Sequence, residues 1–253
     1  MTAEQIEHVK ALLPTSLGSD ELRLAIAADI LRQSVFSART EEVRYLAQVR
    51  EVCSQVVGGG MNLADARMVL TRTLRNMGHD TANARGISNP ASVRRLNLII
   101  ETRTEMAANA ARVNSQTAGT CYAFPAWELV RYESRKMPRD WPSRWKAAGD
   151  SVGWIGASAD FGEMVALKDS PIWAALGRGA GGYRDTLGNP YPPFAFSSGM
   201  DWKGVKRARC IELGLITADT PPQVPEPVSV APTSSELAEA SQRAGMDVAG
   251  GLQ

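Results

Sequence analysis

His8 and His79 are the only histidines in this 253-residue chain, so any imidazole-driven proton transfer would have to use one of them. His8 falls in the first turns of an expected helix, and His79 follows Gly78, a helix-stopping residue. Neither stands in a motif with a nucleophile, so no Ser/His or Cys/His catalytic pair is legible. The three cysteines, Cys53, Cys121 and Cys210, are widely spaced and odd in number. That pattern fits reduced, packed thiols better than a disulfide framework or a CxxC metal clamp. No two His or Cys residues share a ligand-type spacing, so no metal site is expected. Glu128, Glu133 and Glu163 are carboxylates of the kind used in acid–base work, but nothing in their spacing sets two in one pocket.

Gly177-Arg-Gly179-Ala-Gly-Gly182 formally matches GxGxxG. Dinucleotide binding needs a strand before such glycines and a helix after them, so that the pyrophosphate meets the helix N-terminus. Here Pro171 to Leu176 precedes and the turn-rich Tyr183 to Pro190 follows, so the run reads as a glycine loop. The chain also lacks a GxxxxGK[ST] phosphate loop. The expectation is a protein with no catalytic residues, no cofactor and no small-molecule substrate.

Charge narrows the partners. With 28 basic and 27 acidic side chains, the whole chain gives no electrostatic reason to favour nucleic acid or an anionic membrane. No apolar run approaches the roughly 20 residues that cross a bilayer, and Met1 to Lys10 lacks the basic and apolar regions of a secretory signal. A cytoplasmic origin and no membrane contact are therefore expected. One segment is locally biased: from Arg67 to Arg112, eight arginines stand against Asp80, Glu101 and Glu105. Arg72, Arg75, Arg94 and Arg95 are the candidates to face packaged DNA through phosphate contacts. A protein-facing patch or a solvated face would explain the same residues, because the stretch lacks the aromatics of a stacking platform.

These side chains sit on elements of two kinds. Thr2 and Gln5 suggest a capping box for a helix running to about Leu13, before Pro14. Ser19 or Asp20 caps a second helix through about Val35, apolar nearly all round. Val43, Leu46, Val49, Cys53 and Val56 stripe a third, ended by Gly58-Gly59-Gly60. Asn62 caps a fourth, with Leu63, Ala66, Leu70, Leu74 and Met77 on one face. Asn89-Pro90 opens the longest helix, roughly residues 91–116. Arg103 falls near its apolar face, where an arginine must be paired or must snorkel to water.

From Thr120 to Ile216 the helical period fades, and all six tryptophans gather between Trp127 and Trp202. Residues 127–132 and 163–167 read as strands, and 139–148 and 201–213 as short helices. Prolines then crowd the chain from about Ala218, with one short helix from Ser235 to Ala244. The fold class expected is α+β, predominantly helical: a helical bundle over 1–116, a Trp/Pro/Gly-rich α+β unit over 117–217 packed on it, and a disordered Pro/Ser-rich tail over 218–253. Trp173, Tyr191 and Phe194, in proline-rich loop contexts, are the candidate partner-binding residues, because aromatics concentrate at interface hot spots.

Several pieces resemble tailed-phage head-morphogenesis proteins of the Mu F-like minor head family. They are Phe36-Ser-Ala-Arg39, the run Gly58 to Asn62 with Ala64-Asp-Ala-Arg67, and the long-helix segment Arg95 to Thr104 followed by Met106 to Arg112. Further on come Ala166 to Trp173 and Gly188 to Met200. Their order is the family's, and they span roughly residues 36–216. The resemblance implies a structural component of head assembly or DNA packaging, located in the virion head and in host cytoplasm during assembly. Its implied partners are the portal and/or the major capsid protein. The histidine and the paired cysteines of the wider family are missing from the matching regions, 139–149 and 191–196, so no metal or disulfide role carries over. The competing readings are a DNA-binding structural protein and an enzyme on a related scaffold, either ADP-ribosyltransferase-like or a nuclease. The enzyme reading would require converging polar groups near Glu163, Arg178 and Tyr183.

Overall fold

The Thr2 side chain accepts from the Gln5 amide while the Gln5 side chain accepts from the Thr2 amide, and this capping box starts α1 (Ala3–His8). The computed structural model describes residues 1–154 and 163–243, and over these the protein is α+β and predominantly helical. It forms two compact units: residues 1–111 together with the segment from 229, and residues 112–228. The division falls inside the longest helix rather than at its end.

In the first unit, α1 stops five residues short of Leu13, because Ala11–Leu12 is a strand, β1. The expected helix over 19–35 is likewise divided into α2 (Ser19–Ala25) and α3 (Ala28–Arg32), with extended backbone at Ile26 between them. It ends in β2 (Ser34–Val35), which pairs in parallel with β1. The physical reason is non-local pairing. Ala11 and Leu13 donate to the carbonyls of Gln33 and Val35, satisfying buried backbone groups that one long helix would leave without these partners.

The striped helices form close to where their spacing puts them: α4 (Val43–Val57), α5 (Leu63–Asn76) and α6 (Val93–Asn114). Asn62 caps α5 by accepting from the Asp65 amide at 2.9 Å. Tyr45, Leu46, Val49, Cys53, Ala66, Leu70, Leu74, Leu96 and Ile100 make one buried cluster. A second cluster, around Leu13, Leu22, Ile26 and Ile30, includes Leu237 and Ala240 from a C-terminal helix, Ser234–Arg243. So part of the segment expected as a tail is folded against this unit. The proline-rich stretch before it has no regular element, and residues 244–253 lie outside the described residues.

The second unit contains α7 (Ala118–Ala123), β3 (Ala126–Arg131), α8 (Trp141–Val152), β4 (Val165–Leu167) and α9 (Ile172–Gly177). It closes with β5 (Met200–Val205) and α10 (Arg207–Glu212). The antiparallel sheet has the order β4-β3-β5. The helix expected over 201–213 is therefore half strand. Met200, Trp202 and Val205 turn inward while Lys203 is exposed, a burial pattern closer to a strand's period of two than to a helical stripe. Trp127 is paired with Gly204, which makes Trp202 its diagonal neighbour, and the two indoles stack with centroids 3.8 Å apart. α8 is capped by Asp140 and ended by Gly153 in the left-handed conformation, and it buries both Trp141 and Trp145.

Candidate functional site

The structure corrects the partner-binding assignment. Trp173 and Tyr191 are each 2% exposed and Phe194 is fully buried. Trp173 stacks on Phe194, meets Trp202 edge-on at 5.1 Å and Trp145 at 5.2 Å, and donates its indole N–H to the Leu167 carbonyl at 2.8 Å. These residues form the core of the second unit. Their proline-rich loop turns inward because its polar backbone finds partners there: Leu187 donates to the Phe194 carbonyl, and the buried Asn189 amide donates to the Pro193 carbonyl.

The glycine run follows a helix, α9, and serves close approach and turning. A Cβ on Gly177 would stand 1.7 Å from the Asn189 carbonyl oxygen, and Gly179, Gly181 and Gly182 all have positive φ.

Of the four candidate DNA-facing arginines, Arg72, Arg75 and Arg94 are exposed. Arg95 is corrected to an internal brace. It donates to Ser37 Oγ at 2.6 Å and to the carbonyls of Ala38 and Ser88, while burial lowers its pKa from the ordinary guanidinium value. Glu128, Glu133 and Glu163 enter separate ion pairs with Lys203, Arg135 and Arg209. Arg178 bonds the Ala174 carbonyl, Tyr183 lies under Arg144 and Glu163 pairs with Arg209, so each of these three side chains is engaged with a different partner. His8 and His79 lie at the surface, near Glu51 and Glu42.

Three polar clusters hold the chemistry instead. In the first unit Arg103 is paired rather than snorkelled: its Nε donates to Glu7 Oε1 at 2.6 Å and its Nη1 to the Ser34 carbonyl. Lys10 Nζ lies 2.7 Å from the other Glu7 oxygen, so one buried carboxylate faces two buried cations. Burial lowers the Lys10 pKa, against the opposing pull of Glu7.

In the second unit Asp185 accepts from Arg139 Nε at 2.6 Å and from both terminal nitrogens of Arg144. Arg139 also donates to the Phe196 carbonyl, so the cluster ties α8 to the loop that carries the buried aromatics. Partial burial pushes the Asp185 carboxyl upward, but the hydrogen bonds and charges of the two arginines outweigh it and hold the pKa below 3.8. A carboxyl depressed by folding stabilises fully above its unfolded value, and that contribution disappears as pH falls through the lower folded value. The stability gap between wild type and Asp185→Asn should therefore be constant near neutrality and shrink below pH 3.8. Urea titrations at several pH values measure it; a gap unchanged in acid would refute the coupling.

The third cluster joins Lys168, Gln116 and Cys121. Lys168 is 5% exposed, lies 5.4 Å from the Trp127 ring centroid and donates to Gln116 Oε1 at 2.6 Å. Glu7–Lys10 and Gln116–Cys121 are local contacts, but the partners that complete each cluster lie tens of residues away, where sequence spacing does not show them.

Among the described residues no group of three or more His, Cys, Asp or Glu side chains is placed to hold a metal, and no helix is long and apolar enough to cross a membrane. Comparison of the chain with protein-family models, curated proteins and solved structures returns no match.

Proposed function

We propose that the chain is a minor head protein of a tailed phage, a structural component of head assembly or DNA packaging that docks on the portal or the head interior and performs no catalysis. The observation that supports this reading is that the segments resembling the Mu F-like family touch one another in space. Arg95 of the long-helix segment grips Ser37 and Ala38 of the first segment, and Arg67 donates to Asn97. Trp173, ending the fourth segment, stacks on Phe194 in the fifth. A chance collection of short matches has no reason to coincide with the contacts that build each unit, whereas a shared structural framework does.

The test is affinity recovery of tagged full-length chain from cells that co-express the portal and major capsid proteins of the phage that encodes it. Either partner should be recovered, and should remain bound after nuclease treatment. Recovery of neither, where heads do assemble, would refute docking. Recovery abolished by nuclease would favour the DNA reading, for which exposed Arg72, Arg75 and Arg94 are the available contacts.

A further inference from the structure

Both ends of one side-chain amide in the second unit are held by partners of opposite kind. Gln116 Oε1 receives Lys168 Nζ at 2.6 Å, with Thr120 Oγ1 at 3.3 Å and Cys121 Sγ at 3.9 Å. Gln116 Nε2 donates to the Arg112 carbonyl at 2.7 Å, which fixes the oxygen toward the amine. The amide carbon is bonded to that oxygen at about 1.23 Å, so Nζ lies within about 3.8 Å of it. Reacting atoms in near-attack geometry stand about 3–3.5 Å apart, so attack requires the amine to move from its hydrogen bond with the oxygen to a position over the amide carbon.

The surroundings weaken the preference for the ammonium. Lys168 is buried against Trp127. Desolvation lowers its pKa and the Arg112 charge adds to the effect, against Cys121 and Cys210. Thr117 and Thr120, on the other side of the amide, are exposed, which leaves a way out for a small product.

We propose that Lys168 and Gln116 join in an intramolecular isopeptide bond once the second unit has folded. The Nζ lone pair attacks Gln116 Cδ, forming a C–N bond and placing negative charge on the oxygen, beside the Thr120 hydroxyl. A proton passes from the attacking nitrogen to the amide nitrogen, the old C–N bond breaks, and ammonia leaves. If the lysine starts as ammonium, its extra proton departs with the ammonia. The step needs no oxidant, metal or second substrate. It would tether the chain that follows α6 to the end of β4, across a sequence separation of 52.

Mass spectrometry of the intact, denatured full-length chain tests this directly. The mass should fall below that of the sequence by one ammonia, and digestion should yield a branched peptide joining residues 116 and 168. Lys168→Arg should keep the full mass. A wild-type chain at the unmodified mass after prolonged incubation in the folded state overturns the proposal. So does an ammonia loss that maps to a hydroxylamine-sensitive bond between Gln116 and Cys121.

Discussion

Glu7→Gln is expected to destabilise the first unit by about 3–5 kcal/mol, the usual cost of removing one partner from a buried ionic cluster. Glu7 is fully buried and touches Arg103 at 2.6 Å and Lys10 at 2.7 Å. Glutamine keeps the shape and one acceptor oxygen but removes the only negative charge those contacts offer. Arg103 cannot discharge, and Lys10 must give up its proton or remain an uncompensated buried cation. Replacing all three residues with apolar ones, Glu7→Leu with Lys10→Met and Arg103→Met, should recover much of the loss, because buried ionic groups exchanged for packed apolar ones are often neutral in stability.

The readout must be chosen by unit. All six tryptophans lie between Trp127 and Trp202, so their fluorescence reports the second unit alone. Both units contain helices, so unfolding of the first unit is read as the far-ultraviolet circular-dichroism change that does not coincide with the tryptophan transition. A Glu7→Gln loss below about 1 kcal/mol, the range of exposed pairs, would mean that the cluster is solvated and the argument fails.

How far the sequence carries can be seen in the same cluster. The position of Arg103 among Leu96, Ile99 and Ile100 already requires a partner or an escape to water. Its partner, however, lies 96 residues away in α1, and no local pattern points to it. The helices α4 and α5 were legible because each has a stripe wide enough to bury and a stop or cap at its end. The extended pieces were not. β1 and β2 are two residues each, too short for an alternating pattern, and they exist through pairing between distant segments. β5 was hidden inside a run that continues into α10, although Met200, Trp202 and Lys203 show, once placed, which way each side chain turns.

The candidate sites divide in the same way. Arg72, Arg75 and Arg94 are exposed, as surface candidates must be, whereas Arg95 is held within its unit. Lys168 carries no local signal of its setting, since lysine is normally exposed and its burial depends on β4 running beside β3.

Trp173→Ala separates a core role from an interface role in one experiment. The indole touches Trp127, Trp145, Phe194 and Trp202 and bonds the Leu167 carbonyl. Truncation leaves a cavity at the centre of the aromatic cluster and removes one of the two hydrogen bonds to the Leu167 carbonyl, which keeps the Ser170 amide, at an expected cost of about 3–5 kcal/mol. The tryptophan-fluorescence transition in urea should move to lower denaturant, while the circular-dichroism change assigned to the first unit stays in place. Partner recovery should fall only with the folded fraction, since a side chain that is 2% exposed presents no surface for docking. An unshifted transition with partner binding abolished would reverse this assignment: the aromatic cluster would then have to open onto the partner, and Trp173 would return to the interface that its proline-rich setting first suggested.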